Sequence, residues 1–67
     1  MRATFYENGY GIENDKVEDR EVAYEWFTES YNHHTGVFPS EKQTHDFING
    51  KRIVSTECGL YMEWELV

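Results

Sequence analysis

The sequence has one cysteine, one proline and no long apolar run, and each scarcity excludes a class of protein. Cys58 has no second cysteine to pair with, so an intrachain disulfide cannot form and a secreted, disulfide-stapled mini-protein is excluded. No stretch approaches the roughly 18 apolar residues of a membrane span, and no charged-then-apolar leader follows Met1. We therefore expect a mature, soluble protein in the reducing cytoplasm.

Basic residues are also scarce. Six lysines and arginines stand against 13 acids, which gives a net charge of −7. This charge repels nucleic acids and anionic membranes, so a direct DNA or RNA binder is disfavoured. The same field attracts a basic protein, including one that itself binds nucleic acid.

Chain length sets the size of the core. The 67 residues have room for one domain, residues 1–67, and a domain of this size buries only about 60% of the surface that its unfolded chain exposes. Aromatic residues make up 16% of the chain and partly offset the small size, because each buried ring removes roughly 150 to 250 Å² from water. A packed core without disulfides or metals is expected.

Two Asn-Gly pairs, Asn8-Gly9 and Asn49-Gly50, predict β-hairpins, because a type I′ turn needs positive φ at both central residues. The flanking segments are rich in β-branched and aromatic residues, which favour strands. The four predicted strands are residues 2–7 and 10–13 around the first pair, and residues 44–48 and 51–56 around the second.

The C-terminal residues 60–67 show the clearest strand pattern. Apolar Leu60, Met62, Trp64 and Leu66 alternate with other residues, which is the period of a half-buried strand. The even positions should face the core, and the intervening glutamates should face water. The preceding residues 57–59 predict a turn.

An amphipathic helix is predicted at residues 20–34, with Asp19 as N-cap and Gly36 as C-terminal stop. Its core-facing stripe comprises Ala23, Tyr24, Trp26, Phe27, Tyr31 and His34. Residues 35–43 are expected to form a loop whose apolar Val37 and Phe38 tuck under the sheet. The fold class is therefore α+β: a small antiparallel sheet in ββαβββ order with one helix packed on one face.

No motif for catalysis, cofactors or metals is present. His33, His34, His45 and Cys58 are the only nitrogen and sulfur ligands, and their spacing matches no zinc pattern. Glycine-rich phosphate loops are absent. We expect no enzyme, no cofactor and no metal; stoichiometric zinc in the purified protein would revive the alternative of a metal or Cys-His site.

Acidic residues between positions 13 and 29 are the best candidates for function. Glu21, Glu25 and Glu29 are four apart on one helix face, and like charges at that spacing destabilise a helix by roughly 0.2 to 0.5 kcal/mol per pair. The row rises about 6 Å per step, close to the separation of successive phosphates along a nucleic-acid strand. The predicted partner-binding residues are Glu13, Asp15, Glu18, Glu21, Glu25 and Glu29.

In length, acidity, lone cysteine and lack of active-site motifs, the chain resembles the small inhibitors that phages and mobile elements encode against host enzymes, including anti-CRISPR proteins and DNA mimics. This resemblance implies a non-enzymatic inhibitor that binds the basic surface of a nucleic-acid-handling protein. Two alternatives stay open. The acidic face solvates the protein and nothing more, or the chain is an assembly module, a homodimer included, that acts through its sheet and exposed aromatics such as Tyr6 and Tyr61.

Overall fold

The structure is a computed structural model that describes residues 2–9 and 11–67, apart from the side chains of Ile12 and Cys58. The described elements are β1 (Arg2–Gly9), β2 (Ile12–Asp19), α1 (Arg20–Thr35), α2 (Glu41–Ile48), β3 (Ile53–Ser55), a 3-10 helix (Glu57–Gly59) and β4 (Met62–Leu66). The strands form one antiparallel sheet in the order β2-β1-β4-β3. The predicted α+β class with an antiparallel sheet is confirmed, although the element order is ββααββ.

Helix α2 corrects the prediction of a strand at residues 44–48, which is wrong. The helix begins with a capping box: the Ser40 hydroxyl accepts a hydrogen bond from the Gln43 amide at 3.1 Å, and the Gln43 side chain accepts one from the Ser40 amide at 2.9 Å. This reciprocal pair satisfies two amides that an uncapped helix leaves unpaired. The predicted loop over residues 35–43 therefore ends at Ser40.

The second Asn-Gly pair ends α2 and does not form a hairpin turn. Gly50 has φ +85°, and its amide donates to the Phe47 carbonyl at 3.1 Å. The Lys51 amide donates to the Asp46 carbonyl at 2.9 Å, which completes a Schellman motif. Positive φ at glycine suits both a type I′ turn and a helix end, so the dipeptide alone does not distinguish them. The predicted strand at residues 51–56 shortens accordingly to Ile53–Ser55.

The first hairpin exists, but its connection lies two residues later than predicted. Gly9 pairs with Ile12, and β2 runs to Asp19, well beyond the predicted residues 10–13. The predicted start at Tyr10 lies outside the described residues. Gly9 serves a different purpose: a Cβ there would lie 2.2 Å from the Tyr61 carbonyl oxygen. Glycine therefore permits a close approach of β1 to the segment leading into β4, and the turn forms further along.

Helix α1 agrees with its prediction to within one residue, and its Gly36 C-cap is left-handed, with φ +82°. The buried line of the helix is Ala23, Phe27 and Tyr31. Tyr24, predicted to face the core, is 38% exposed, because the helix packs along a narrower stripe than the periodicity indicated.

The core lies between the helices and one face of the sheet. Phe27 stacks on Phe47 with ring centroids 4.2 Å apart, and it meets Trp64 edge-on at 5.7 Å. The buried apolar residues are Ala3, Phe5, Ala23, Phe27, Tyr31, Phe47, Ile53, Met62, Trp64 and Leu66. Val37 and Phe38 do not tuck under the sheet as predicted, since they are 60% and 69% exposed and Phe47 of α2 occupies the core.

Neither helix in the described part of the chain has the length and apolarity needed to cross a bilayer.

Candidate partner-binding surface

The six predicted partner-binding residues lie on three different surfaces. Glu21, Glu25 and Glu29 are exposed on α1. Their row, which we call the acidic row, faces away from the buried line of that helix. The other three residues lie on β2, where the sheet register assigns their faces.

Strand β2 separates its acids between the two faces of the sheet. Glu18 is paired with buried Ala3, so it lies on the face that the helices cover. Asp15 is paired with Tyr6 and Glu13 with Asn8, and these positions lie on the opposite, uncovered face. The predicted partner-binding residues of β2 are therefore divided between the two faces of the sheet, because alternate positions of a strand point to opposite faces.

The junction between β2 and α1 leaves acidic groups available. Asp19 occupies the N-cap position in an extended conformation, as predicted, but its side chain makes no capping hydrogen bond. Its amide instead donates to the neighbouring Glu18 carboxylate at 3.0 Å. The first turn of the helix carries one acid, Glu21, whose charge interacts favourably with the positive end of the helix dipole.

Three of the six basic residues pair with acids in the second half of the chain. Lys42 and Lys51 both contact Asp46, at 2.8 and 3.8 Å. Arg52 lies 3.6 and 3.8 Å from the carboxylates of Glu63 and Glu65 on β4.

The other three basic side chains bind neutral groups. Arg2 donates to the Val17 carbonyl at 3.1 Å, and Arg20 donates to the Ile48 carbonyl at 3.0 Å. The ammonium group of Lys16 lies 5.0 Å from the centre of the Trp26 ring. Within residues 2–9 and 11–67, no ion pair therefore involves an acid between positions 13 and 29.

Two groups outside the acidic row have perturbed pKa values. The hydrogen bond from Lys42, aided by the charges of Lys42, Lys51 and His45, lowers the pKa of the Asp46 carboxyl against the opposing effect of desolvation. The Tyr61 hydroxyl donates to Glu63 at 2.8 Å, and this bond raises the pKa of the phenol. Both perturbations follow from pairing at the surface and do not indicate an acid-base site.

A groove that the sequence did not reveal runs between α1 and the strands β1 and β2. Its volume is about 810 Å³, and its lining includes Phe5, Trp26 and Phe38 together with the carboxylates of Glu7 and Glu29. The spacing of Trp26 and Glu29 on one helix was visible in the sequence. The position of Glu7 beside Trp26 and Glu29 depends on the register of β1, which no local sequence pattern determines.

The histidines and Cys58 were the alternative candidates for a metal or Cys-His site. No group of three or more histidine, cysteine, aspartate or glutamate side chains among the described residues is placed to hold a metal ion. The His34 ring lies edge-on to Trp64 at 6.0 Å, and its Nε2 is buried with no hydrogen-bond partner among the described residues. Cys58 falls in the 3-10 helix, and its side chain lies outside the described part.

Comparison with protein-family models, curated proteins and solved structures found no match for this chain.

Proposed function

We propose that this protein is a non-enzymatic inhibitor that binds a protein partner through its acidic row and covers a basic, nucleic-acid-binding surface of that partner. Its class is that of small anti-CRISPR-like or DNA-mimic proteins of phages and mobile elements, acting in the cytoplasm. One observation carries the proposal: Glu21, Glu25 and Glu29 stand exposed in a row, and among the described residues none of the three forms an ion pair.

The acidic row supports binding because no ion pair within residues 2–9 and 11–67 neutralises its carboxylates. Successive glutamates are one helical turn apart, and each such pair costs roughly 0.2 to 0.5 kcal/mol. A basic groove on a partner would relieve this repulsion and gain from the opposite charges at the same time. The row's rise of about 6 Å per step suits a surface that normally follows a phosphate backbone.

Affinity capture tests the proposal. The tagged protein is incubated with a nuclease-treated bacterial lysate, and retained proteins are identified by mass spectrometry. We expect nucleic-acid-binding proteins to be retained at about 50 mM salt and released by about 500 mM, because screening shortens the reach of exposed charges.

Two charge-matched variants decide which surface acts. Glu21→Gln/Glu25→Gln/Glu29→Gln removes the acidic row, and a control with Glu41→Gln, Glu57→Gln and Glu65→Gln removes three acids outside residues 13–29. Both change the net charge from −7 to −4. Retention should disappear with the first variant and persist with the control. Equal retention by both variants, or retention indifferent to salt, would sink the proposal.

The uncovered sheet face favours a second candidate, an assembly module. Tyr6 and Tyr61 are 41% and 47% exposed there, beside Val54, and β2 is an edge strand of the described sheet. Exposed tyrosines and a free edge are features of interaction surfaces. Size-exclusion chromatography with light scattering separates the candidates: a salt-insensitive homodimer that Tyr6→Ala or Tyr61→Ala dissociates would favour assembly.

A further inference from the structure

The groove between α1 and the sheet has aromatic walls. Phe5 is buried, at 3% exposure, and its ring lies 6.0 Å from that of Trp26, which is half-buried. Phe38 also lines the groove and is 69% exposed. The rings of Trp26 and Phe38 thus present exposed surface to an occupant. Trp26 lies in α1, whereas Phe38 lies in the loop that follows it.

A half-buried carboxylate lies in the same groove without a cation. Asn14 donates to Oε1 of Glu7 at 3.1 Å, and the Ser30 hydroxyl donates to Oε2. Ser30 in turn accepts a hydrogen bond from the indole of fully buried Trp64 at 2.8 Å. In the described chain, no lysine or arginine lies within ion-pair distance of Glu7, so neutral donors alone hold its charge. A cation would stabilise it further, because an arginine–carboxylate pair adds the attraction of opposite charges and two parallel hydrogen bonds.

One cation of the chain already lies against the tryptophan. Lys16 pairs with Phe5 across the strands and so projects on the covered face, where its ammonium lies 5.0 Å from the centre of the Trp26 ring. Tryptophan is the aromatic side chain that attracts cations most strongly. Glu29, three residues after Trp26, adds a second carboxylate to the groove lining.

We propose that this groove binds an arginine side chain of the partner, whose guanidinium displaces Lys16 from Trp26 and pairs with Glu7 or Glu29. The inference rests on the proposed function, since it names the residue by which the basic surface is recognised. Arginine fits better than lysine because its planar guanidinium stacks on aromatic rings and binds carboxylates with two parallel hydrogen bonds. A nucleobase could also stack on Trp26, but the net charge of −7 repels the phosphates attached to it.

The probe is an acetylated tetra-arginine amide, titrated into the protein and followed by the ¹H–¹⁵N resonances of the two tryptophan indoles. We expect a saturable shift of the Trp26 resonance that is larger than that of Trp64, whose indole is buried and reaches Glu7 only through Ser30. Tetra-lysine carries the same charge and should bind several-fold more weakly.

Lys16→Ala removes the internal competitor and should tighten tetra-arginine binding about two- to fivefold. Lys42→Ala is the matched control, since it changes the net charge equally but removes a lysine that pairs with Asp46. Glu7→Gln should weaken binding about three- to fivefold, whereas Glu57→Gln, its charge-matched control, should not. A native-like far-UV circular dichroism spectrum and an unchanged unfolding transition verify that each variant is folded.

An unmoved Trp26 resonance, equal affinity for the two peptides, or equal effects of Lys16→Ala and Lys42→Ala would overturn the inference. The outcome is separable from that of the lysate experiment. If capture depends on the acidic row while Trp26 does not respond, the proposed function stands and the arginine site is wrong. If tetra-arginine binds at Trp26 but the row variant captures the same proteins, the site stands and the proposed function fails.

Discussion

Reversing the central charge of the acidic row should stabilise the fold and weaken partner binding. Glu25 is exposed on α1, four residues after Glu21 and four before Glu29. Glu25→Lys therefore replaces two repulsive pairs with two attractive ones.

The expected gain follows from the spacing. Each like-charge pair costs roughly 0.2 to 0.5 kcal/mol, and each opposite pair returns a similar amount. Removing two repulsions and adding two attractions gives about 1 to 2 kcal/mol. The introduced lysine should gain more from Glu21 than from Glu29, because a glutamate N-terminal to a lysine is the better orientation. For a domain of this size, 1 kcal/mol corresponds to about 4 to 8 °C in Tm.

Urea and thermal unfolding followed by circular dichroism measure this gain. Glu57→Lys is the control, since it changes the net charge equally from an exposed position outside α1. Its free energy of unfolding should change by no more than about 0.5 kcal/mol. Added salt should shrink the difference between the variants. If Glu25→Lys proves no more stable than Glu57→Lys at low salt, the repulsion within the row is not real and the reasoning fails.

The same variant should retain less partner in the capture experiment. We expect Glu25→Lys to raise the free energy of unfolding and to lower partner retention. This combination is typical of a surface that favours binding over stability. An acidic face that only solvates the protein would show the gain in stability with no loss of binding.

Three further predictions concern the fold. Gly9→Ala should cost about 3 kcal/mol or more, because its Cβ would lie 2.2 Å from a backbone carbonyl oxygen. Gly11 has φ +72°, and a Cβ there would meet no atom within 4 Å among the described residues other than its chain neighbours. Gly11→Ala should therefore cost only about 1 to 2 kcal/mol; equal losses in urea unfolding would contradict this. Ser40→Ala should cost about 1 kcal/mol by removing the cap of α2, and an unchanged midpoint would show that the cap is dispensable. Because Lys42 lowers the Asp46 pKa below 3.8, their pairing stabilises the fold above that pH and is lost as the pH falls through the folded-state pKa. Wild type and Asp46→Asn should therefore converge in stability at low pH, and a pH-independent difference would refute the assignment.

The sequence was most informative where one local pattern had one physical meaning. The alternation of Leu60, Met62, Trp64 and Leu66 predicted a strand at residues 60–67. The strand is Met62–Leu66, its three inward side chains are buried, and Leu60 before it is half-buried. Helix α1 was predicted to within one residue because apolar periodicity, a first-turn acid and a terminal glycine agreed. Consistency among independent signals made these elements predictable.

Prediction failed where one signal had two meanings. Asn49-Gly50 suits a hairpin and a helix end equally. The capping box formed by Ser40 and Gln43 decides between them, because it begins a helix that this dipeptide ends. The register of the first hairpin depends on the close approach at Gly9, which involves Tyr61 and Met62 far along the chain. No local pattern carries such a contact, so the length of β2 and the faces of its acids could not be predicted.

The acidic row could be predicted from the sequence and the groove could not, for the same reason. The acidic row lies on one helix, so its spacing alone predicted that three carboxylates share a face. The groove combines Glu7 of β1, Lys16 of β2 and Trp26 of α1, and only the folded chain brings them together. Features confined to one element are visible in a sequence, whereas features shared among elements require the register and the packing.

Charge is distributed unevenly along this chain, and the distribution argues for a role beyond solubility. Residues 13–29 hold seven acids and two basic residues, a net −5 of the whole chain's −7. Three of the other four basic residues pair with acids of α2 and β4, which leaves that half of the chain largely self-compensated. Solubility depends on net charge and not on its position, so it would be served as well by an even distribution. Concentrating uncompensated charge in a β-strand and the helix that follows costs helix stability, and a basic partner is the simplest means of recovering that cost.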